Sequence, residues 1–540
     1  MADRHGPQRA WERAGRLGVW LALAALVGYP VLRLLTTAAA EGADAVVAAV
    51  ALPGTGSAVA GTLWSSAAAA AAAVTGGVLA ALAVERAAVP SRRWLRVGLL
   101  MPVLIPPFVS ALSWGAAYGP GGVLDDAVGV TLPGLYGPAG VAAVIAVNAL
   151  PLAYLVTAAA LAGRAEPDLE RAARASGASS PAALATVTLP LLRPALGAAA
   201  VLCFTYAANS FAVPAVLGTP AGFETMTTRI YRGLAFSADP AVFTQVLVLA
   251  VALLVVALTS VAAADAMAAP GSVRRTAAPA GAVHGGAGRR GRRVAAAVWA
   301  YVALTSAAPF AALVLVALTR AAGLAPVPAN WTLEHFSEAL RGPTVGGLGR
   351  SLQLAAAAAT VLVPLGGLVV ALERVAATRR LGILATLTFA IPGSALAIAA
   401  LLAYGRWLGG SLAIILVAYL GKFWALAQRP IAGAADRLPP DLYRAARASG
   451  AAGPAALRTI VVPSLAPALA AAWLLAFLFA FHELPMSGLL YGPGTATLAV
   501  VVLNLQQVGD AGVTAALAVL LTLGLLVAAA PLLLVRGART

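Results

Sequence analysis

Apolar runs of about 20 residues alternate with short polar stretches along the whole chain. A run of that length crosses the hydrocarbon core of a bilayer when it is helical. The pattern predicts twelve spans, at 17–36, 57–84, 95–116, 138–162, 194–217, 241–265, 294–319, 351–372, 382–404, 411–428, 466–490 and 511–535. They fall into two sets of six, separated by a stretch rich in Ala, Gly, Pro and Arg. That stretch has no periodic apolar face, so it reads as a flexible tether. The expected organisation is a first half over 1–265, a cytoplasmic linker over 266–293 and a second half over 294–540. The expected fold is an all-α membrane protein of about 12 spans in two homologous six-helix halves. Ala38–Ala40 has the small residues of a signal cleavage site, but the preceding apolar run is longer than a signal requires. It is read as a retained span. Between spans, Trp331–Leu340 carries apolar residues at helical spacing and is expected to lie along the membrane surface.

Composition agrees with this reading. The chain is 61% hydrophobic and 10% charged, against about 25% charged in soluble domains. Its net charge of +16 would suit nucleic acid if it were spread over one soluble surface. Instead it is confined to particular loops. With the N-terminus in the cytoplasm, 28 of the 36 basic residues fall on cytoplasmic segments or helix ends. That bias supports the helix count and puts both termini inside. All basic residues except Lys422 are Arg. Cys203 is the single cysteine, and His5, His284, His335 and His482 are scattered, so no metal site is expected.

One polar segment occurs twice. Pro167-Asp-Leu-Glu-Arg-Ala-Ala-Arg-Ala-Ser-Gly177 returns as Pro440-Asp-Leu-Tyr-Arg-Ala-Ala-Arg-Ala-Ser-Gly450. The offset is 273 residues, and 21 of the 30 positions from Pro167 to Leu196 are identical. Asp168 and Asp441 suit the first turn of a helix, where free N–H groups favour a carboxylate. Gly177 and Gly450 suit the left-handed position that ends it. Pro181 and Pro454 open a second short helix, and Pro190 and Pro463 mark the return into the bilayer. The Ala and Ser side chains leave the first helix thin enough for a groove on a partner, where Arg174 and Arg447 would meet acidic groups.

These loops resemble the cytoplasmic EAA loop of ABC importer permeases, which docks on the ATPase subunit. Ala172, Ala173, Gly177 and Pro190 match the family pattern, as do Ala445, Ala446, Gly450 and Pro463. The family Glu falls on Arg171 and Arg444, with Glu170 one position earlier in the first copy and Tyr443 in the second. Leu95–Ser110, Tyr118–Gly122, Glu483–Ser487, Leu490–Gly494 and Leu503–Asp510 look like fused ferric-iron-type permeases. The resemblance implies the type I importer fold in a bacterial cell membrane. It also implies two copies of an ABC ATPase that hold ATP and Mg, and an extracytoplasmic binding protein that delivers the solute. Ferric iron is the expected solute, with thiamine, a phosphonate or a polyamine as alternatives. An ion-gradient-driven transporter is the rival from another class, but it offers no reason for twin cytoplasmic loops. No cofactor is expected on this chain. It has no G-x-x-x-x-G-K-[ST] phosphate loop, so it is not expected to hydrolyse ATP itself.

Polar residues inside spans are costly in lipid and are therefore functional candidates. Asn209 and Ser210, shifted by 273, fall on His482 and Glu483. Both pairs follow the repeated loop by one span and are expected to face each other across a pseudo-twofold axis, along the translocation path. Glu483 either lines that path or gate, or makes a packing hydrogen bond between halves. His482 either titrates or is structural. Lys422 is expected to snorkel to the inner surface. Glu85 and Glu373, each beside an Arg, are expected to form local interfacial pairs.

Overall fold

The computed structural model describes residues 6–164, 167–267, 288–321, 323–376, 380–439 and 457–535. Among these residues, ten helices are long and apolar enough to cross a membrane. In chain order they are α1 (Arg13–Ala40), α2 (Thr55–Arg86), α4 (Pro138–Ala162), α5 (Ser180–Ala208), α6 (Pro240–Ala263), α7 (Arg289–Leu318), α8 (Pro343–Glu373), α10 (Leu412–Ala435), α11 (Arg458–Phe481) and α12 (Ala511–Ala530). Two bent pairs complete the series. These are α3 (Arg92–Leu104 with Pro107–Val128, bent by 101°) and α9 (Leu381–Ala390 with Gly393–Leu408, bent by 103°). With each bent pair taken as one span the total is twelve, the number expected. Most of the linker, residues 268–287, lies outside the described residues.

The bends correct two of the expected spans, 95–116 and 382–404, which read as straight. Pro106 follows the first arm of α3, and Pro392 follows that of α9. Proline supplies no N–H, and its ring pushes the preceding residue out of the helical region. Ile105 is extended at φ −84° and ψ 117°. Two other spans end earlier than expected. The helix expected over 194–217 stops at Ala208, where Asn209 Nδ2 donates to the Thr205 carbonyl at 2.8 Å. That over 466–490 stops at Phe481, and the chain then turns through Pro485 into the short helix Ser487–Leu490. The surface helix expected at 331–340 is one short turn, Glu334–Ala339. It is flanked by Leu333 and Leu340, both exposed.

Helix packing repeats between the two sets. Helices α2, α4 and α5 pack on one another, and so do α8, α10 and α11. The first helix of each set crosses to the other: α1 lies against α8, α9 and α10, while α7 lies against α3 and α12. Helix α6 reaches α9, and α12 reaches α3. Small residues permit the tightest of these contacts. A Cβ at Gly77 of α2 would stand 2.6 Å from the Ala153 Cβ and 2.7 Å from the Tyr154 backbone nitrogen of α4. The equivalent approach joins α8 to α10, where a Cβ at Gly366 would stand 3.0 Å from the Gln428 nitrogen. Lipid offers no hydrophobic drive between helices, so such close backbone packing is what holds them together.

Candidate functional site: a docking loop and the polar residues behind it

Between α4 and α5 the first repeated segment forms a helix, Pro167–Ala175, with Asp168 in its first turn. Its end is closed by two backbone bonds. The Ala178 N–H donates to the Ala173 carbonyl at 3.0 Å, and the Gly177 N–H to Arg174 at 3.1 Å. This pair requires a left-handed residue at Gly177, which has φ +94°. The chain restarts at Ser179, whose hydroxyl accepts the Ala182 N–H at 3.3 Å. Leu169, Arg171, Ala172, Arg174 and Ala175 are exposed, and Ala173 is half-buried. The outward face is thus basic and shallow.

Glu170 is directed inward. Its Oε2 accepts from Arg86 Nη1 at 2.6 Å and from the Thr188 hydroxyl at 3.2 Å. Sequence reasoning had singled out Glu170 only as a shifted motif acid. Nothing in the spacing shows its partner, because Arg86 lies 84 residues earlier at the end of α2. The second copy of the loop, with Asp441, Arg444, Ala445, Ala446, Arg447 and Gly450, lies outside the described residues.

Behind the loop, Glu85 and Glu373 close the ends of α2 and α8. Glu85 pairs with Arg96 of α3 at 2.5 Å and accepts the Tyr154 hydroxyl of α4 at 2.6 Å. Glu373 accepts the Gly382 N–H of α9 at 3.0 Å and the Gln428 side chain of α10 at 3.5 Å. Each acid therefore ties its helix to the corresponding two neighbours. For Glu85 this is the local pair expected. Among the described residues, Glu373 uses a backbone N–H and an amide.

The two pairs of path candidates adjoin one extended apolar core. Phe211, next to Ser210, shares an apolar core with Leu484 and Met486, which follow Glu483. The hydrogen bonds found at these positions stay local. Asn209 bonds back to Thr205, and the Ser210 carbonyl accepts the Thr227 hydroxyl at 2.8 Å. Glu483 is 7% exposed, and its two oxygens accept the N–H groups of Met486 at 2.8 Å and Ser487 at 3.0 Å. The carboxylate thereby caps the turn that Pro485 creates. His482 packs its ring 5.6 Å from that of Phe479.

Lys422 corrects an expectation. It does not run to the inner surface but bonds at the bend of α9, donating to Ile391 at 2.5 Å and Phe389 at 3.4 Å. Those carbonyls end the first arm of α9, where a cation is favoured. Its ammonium also lies 5.6 Å from the centre of the Phe389 ring. The sequence does not place it there, because nothing in the spacing along the chain shows the bend.

Comparison with known proteins agrees with this architecture. Residues 73–268 match the model of the binding-protein-dependent transport system inner membrane component. The chain is 26% identical over 473 residues to an ABC transporter permease protein, y4fN, of Sinorhizobium fredii, covering 82% of this chain and 80% of that one. Over 201 residues it is 27% identical to PhnV of Salmonella typhimurium, described as a 2-aminoethylphosphonate transport system permease protein. That match covers 36% of this chain and 76% of PhnV. The PhnV of Salmonella paratyphi A matches to the same extent. Residues 73–268 thus match the binding-protein-dependent transport inner-membrane component, and with its candidate spans and a length that fits two fused permease halves the chain is similar to multi-pass ABC transporter permeases of the inner membrane.

Proposed function

We propose that this chain forms the translocation path of an ATP-driven importer, with the solute arriving from a binding protein outside. Two ATPase subunits dock, one on each repeated loop, at 167–177 and 440–450. The observation that carries this reading is the exposed, glycine-closed helix Pro167–Ala175 together with its near-identical copy in the second half. One loop in each half matches one ATPase under each half. The halves are 1–265 and 294–540, joined by a cytoplasmic linker over 266–293, with both termini inside as the Arg distribution supports. Asp168, Arg171, Ala172, Ala173, Arg174 and Gly177, with Asp441, Arg444, Ala445, Ala446, Arg447 and Gly450, make the docking surfaces. The groove that receives them is acidic. ATP-driven closure draws the loops together and switches the path, which runs past Asn209, Ser210, His482 and Glu483. Docking has only to favour one state over the other by a few kcal/mol.

Ferric iron is the solute that the sequence resemblance favours. The PhnV relatives, described as 2-aminoethylphosphonate permeases, favour a second reading in which the solute is a phosphonate. Capture from native membranes tests the docking. Wild type is expected to bring down an ATPase subunit, and an intact Gly177→Asp/Gly450→Asp variant to lose it. If wild type captures none in several mild detergents, the importer reading fails and ion-gradient-driven uptake in liposomes becomes the test. The solute follows from which binding protein, loaded with ferric iron or with 2-aminoethylphosphonate, stimulates ATP turnover.

A further inference from the structure

The inward acid on the docking helix gives that helix a second attachment, independent of its chain connections. Arg86 Nη1 donates to Glu170 Oε2 at 2.6 Å and to Thr188 Oγ1 at 3.2 Å. The Thr188 hydroxyl completes the triangle on Glu170 at 3.2 Å. Three elements meet here. Arg86 ends α2, Glu170 lies in the docking helix, and Thr188 lies within α5 at the end of its π-helical turn Leu184–Thr188. Thr188 is buried, while the Arg86 and Glu170 side chains are 27% and 24% exposed. A charge-assisted bond of this length, partly shielded from water, holds direction as well as distance.

The second half lacks the parts. At the 273 offset Tyr443 replaces Glu170 and Val461 replaces Thr188, although an Arg, Arg374, still follows Glu373 as Arg86 follows Glu85. We infer that Arg86, Glu170 and Thr188 form a one-sided clamp that positions the first docking helix against α2 and α5. Through it, ATPase movement reaches the first half as a rigid push. Glu170 is a positioning residue in this scheme and leaves the ATPase contact to the basic outer face. The inference rests on the loop being the docking site.

The test uses the full chain with its ATPase and binding protein in proteoliposomes. It compares Glu170→Gln, Arg86→Gln, the exchanged pair Arg86→Glu/Glu170→Arg, and the double variant Gly177→Asp/Gly450→Asp. Glu170→Gln is expected to hold the ATPase as wild type does, yet to lower solute uptake per ATP by about tenfold, the worth of one charged hydrogen bond. The exchanged pair is expected to recover most of that loss, which a merely structural role for either residue would not give. Uptake per ATP in Glu170→Gln equal to wild type overturns the clamp, and so does failure of the exchange to rescue while both single variants fold. Retention of the ATPase by Gly177→Asp/Gly450→Asp overturns the docking reading instead, so the two failures are distinct.

Discussion

Lys422 of α10 donates to the carbonyl of Ile391 at 2.5 Å, immediately before the proline that breaks α9. It is the one lysine in a chain whose other basic residues are all arginine. A compact ammonium can enter the angle of a bent helix and reach two carbonyls, whereas a planar guanidinium needs a wider site. The counterpart in the first half is Asn148, because the α2–α4 contact at Gly77, Ala153 and Tyr154 matches the α8–α10 contact at Gly366, Ala427 and Gln428. Asn148 accepts from the Ser110 hydroxyl on the second arm of α3 at 3.0 Å. The two bends are therefore secured differently, one by a cation and one by neutral groups.

Replacing Lys422 with Met keeps the length of the side chain and removes the donor. Two partly buried carbonyls at the bend then lose this partner, so the variant is expected to be less stable by about 2–3 kcal/mol. Thermal unfolding in detergent measures it, and an unchanged melting temperature would sink the assignment. Lys422→Arg is expected to fall between wild type and Met.

Glu483→Gln separates charge from hydrogen bonding. Gln offers one acceptor oxygen where two N–H groups now converge, so one of the Met486 and Ser487 N–H groups loses its bond. The expected cost is about 1–3 kcal/mol, again read from unfolding in detergent. Ser487→Ala, which removes only a hydroxyl bonded to the Glu483 carbonyl at 2.7 Å, is expected to cost about 1 kcal/mol. Equal losses for the two variants would contradict the capping role.

Adjacent glycines of α2 should behave oppositely. A Cβ at Gly77 meets the Ala153 Cβ and the Tyr154 backbone nitrogen, which cannot move without separating α2 from α4. One at Gly76 stands 2.7 Å from the tip of the Leu150 side chain, which can rotate away. Gly77→Ala is expected to lower stability by about 1–3 kcal/mol and the yield of monodisperse protein with it. Gly76→Ala is expected to be near neutral. Size-exclusion profiles of the two variants decide between them.

Glu85 and Tyr154 are expected to be energetically coupled. Tyr154 is 2% exposed, and its hydroxyl bonds Glu85, so removing the acid strands a buried donor. A double-mutant cycle of Glu85→Gln and Tyr154→Phe is expected to give a coupling of about 0.5–2 kcal/mol. Additive losses would show that the Arg96 pair alone holds Glu85.

The helices were legible because each carries its own evidence. An apolar run of about 20 residues must be helical in lipid whatever its neighbours do. The candidate spans and the first repeated helix with its Gly177 turn were local properties of this kind. The bends were less legible. Pro102, Pro151, Pro364 and Pro430 stand inside helices that continue through them, whereas the chain breaks at Pro106 and Pro392. Proline alone does not settle which occurs, since neighbouring helices can re-satisfy the freed backbone groups.

What the sequence determined by itself was therefore the periodic and repeated part: the candidate spans, the family pattern and the first repeated helix, Pro167–Ala175. Only the tertiary structure decided where the scattered polar groups are used. Glu170 turns to Arg86, Lys422 to the end of the first arm of α9, and Glu85 to Tyr154 and Arg96. The physical reason is that a polar group next to lipid must find a partner, and the nearest one in space is usually distant in the chain. Spacing along the sequence records helices, but the choice of partner depends on how those helices cross.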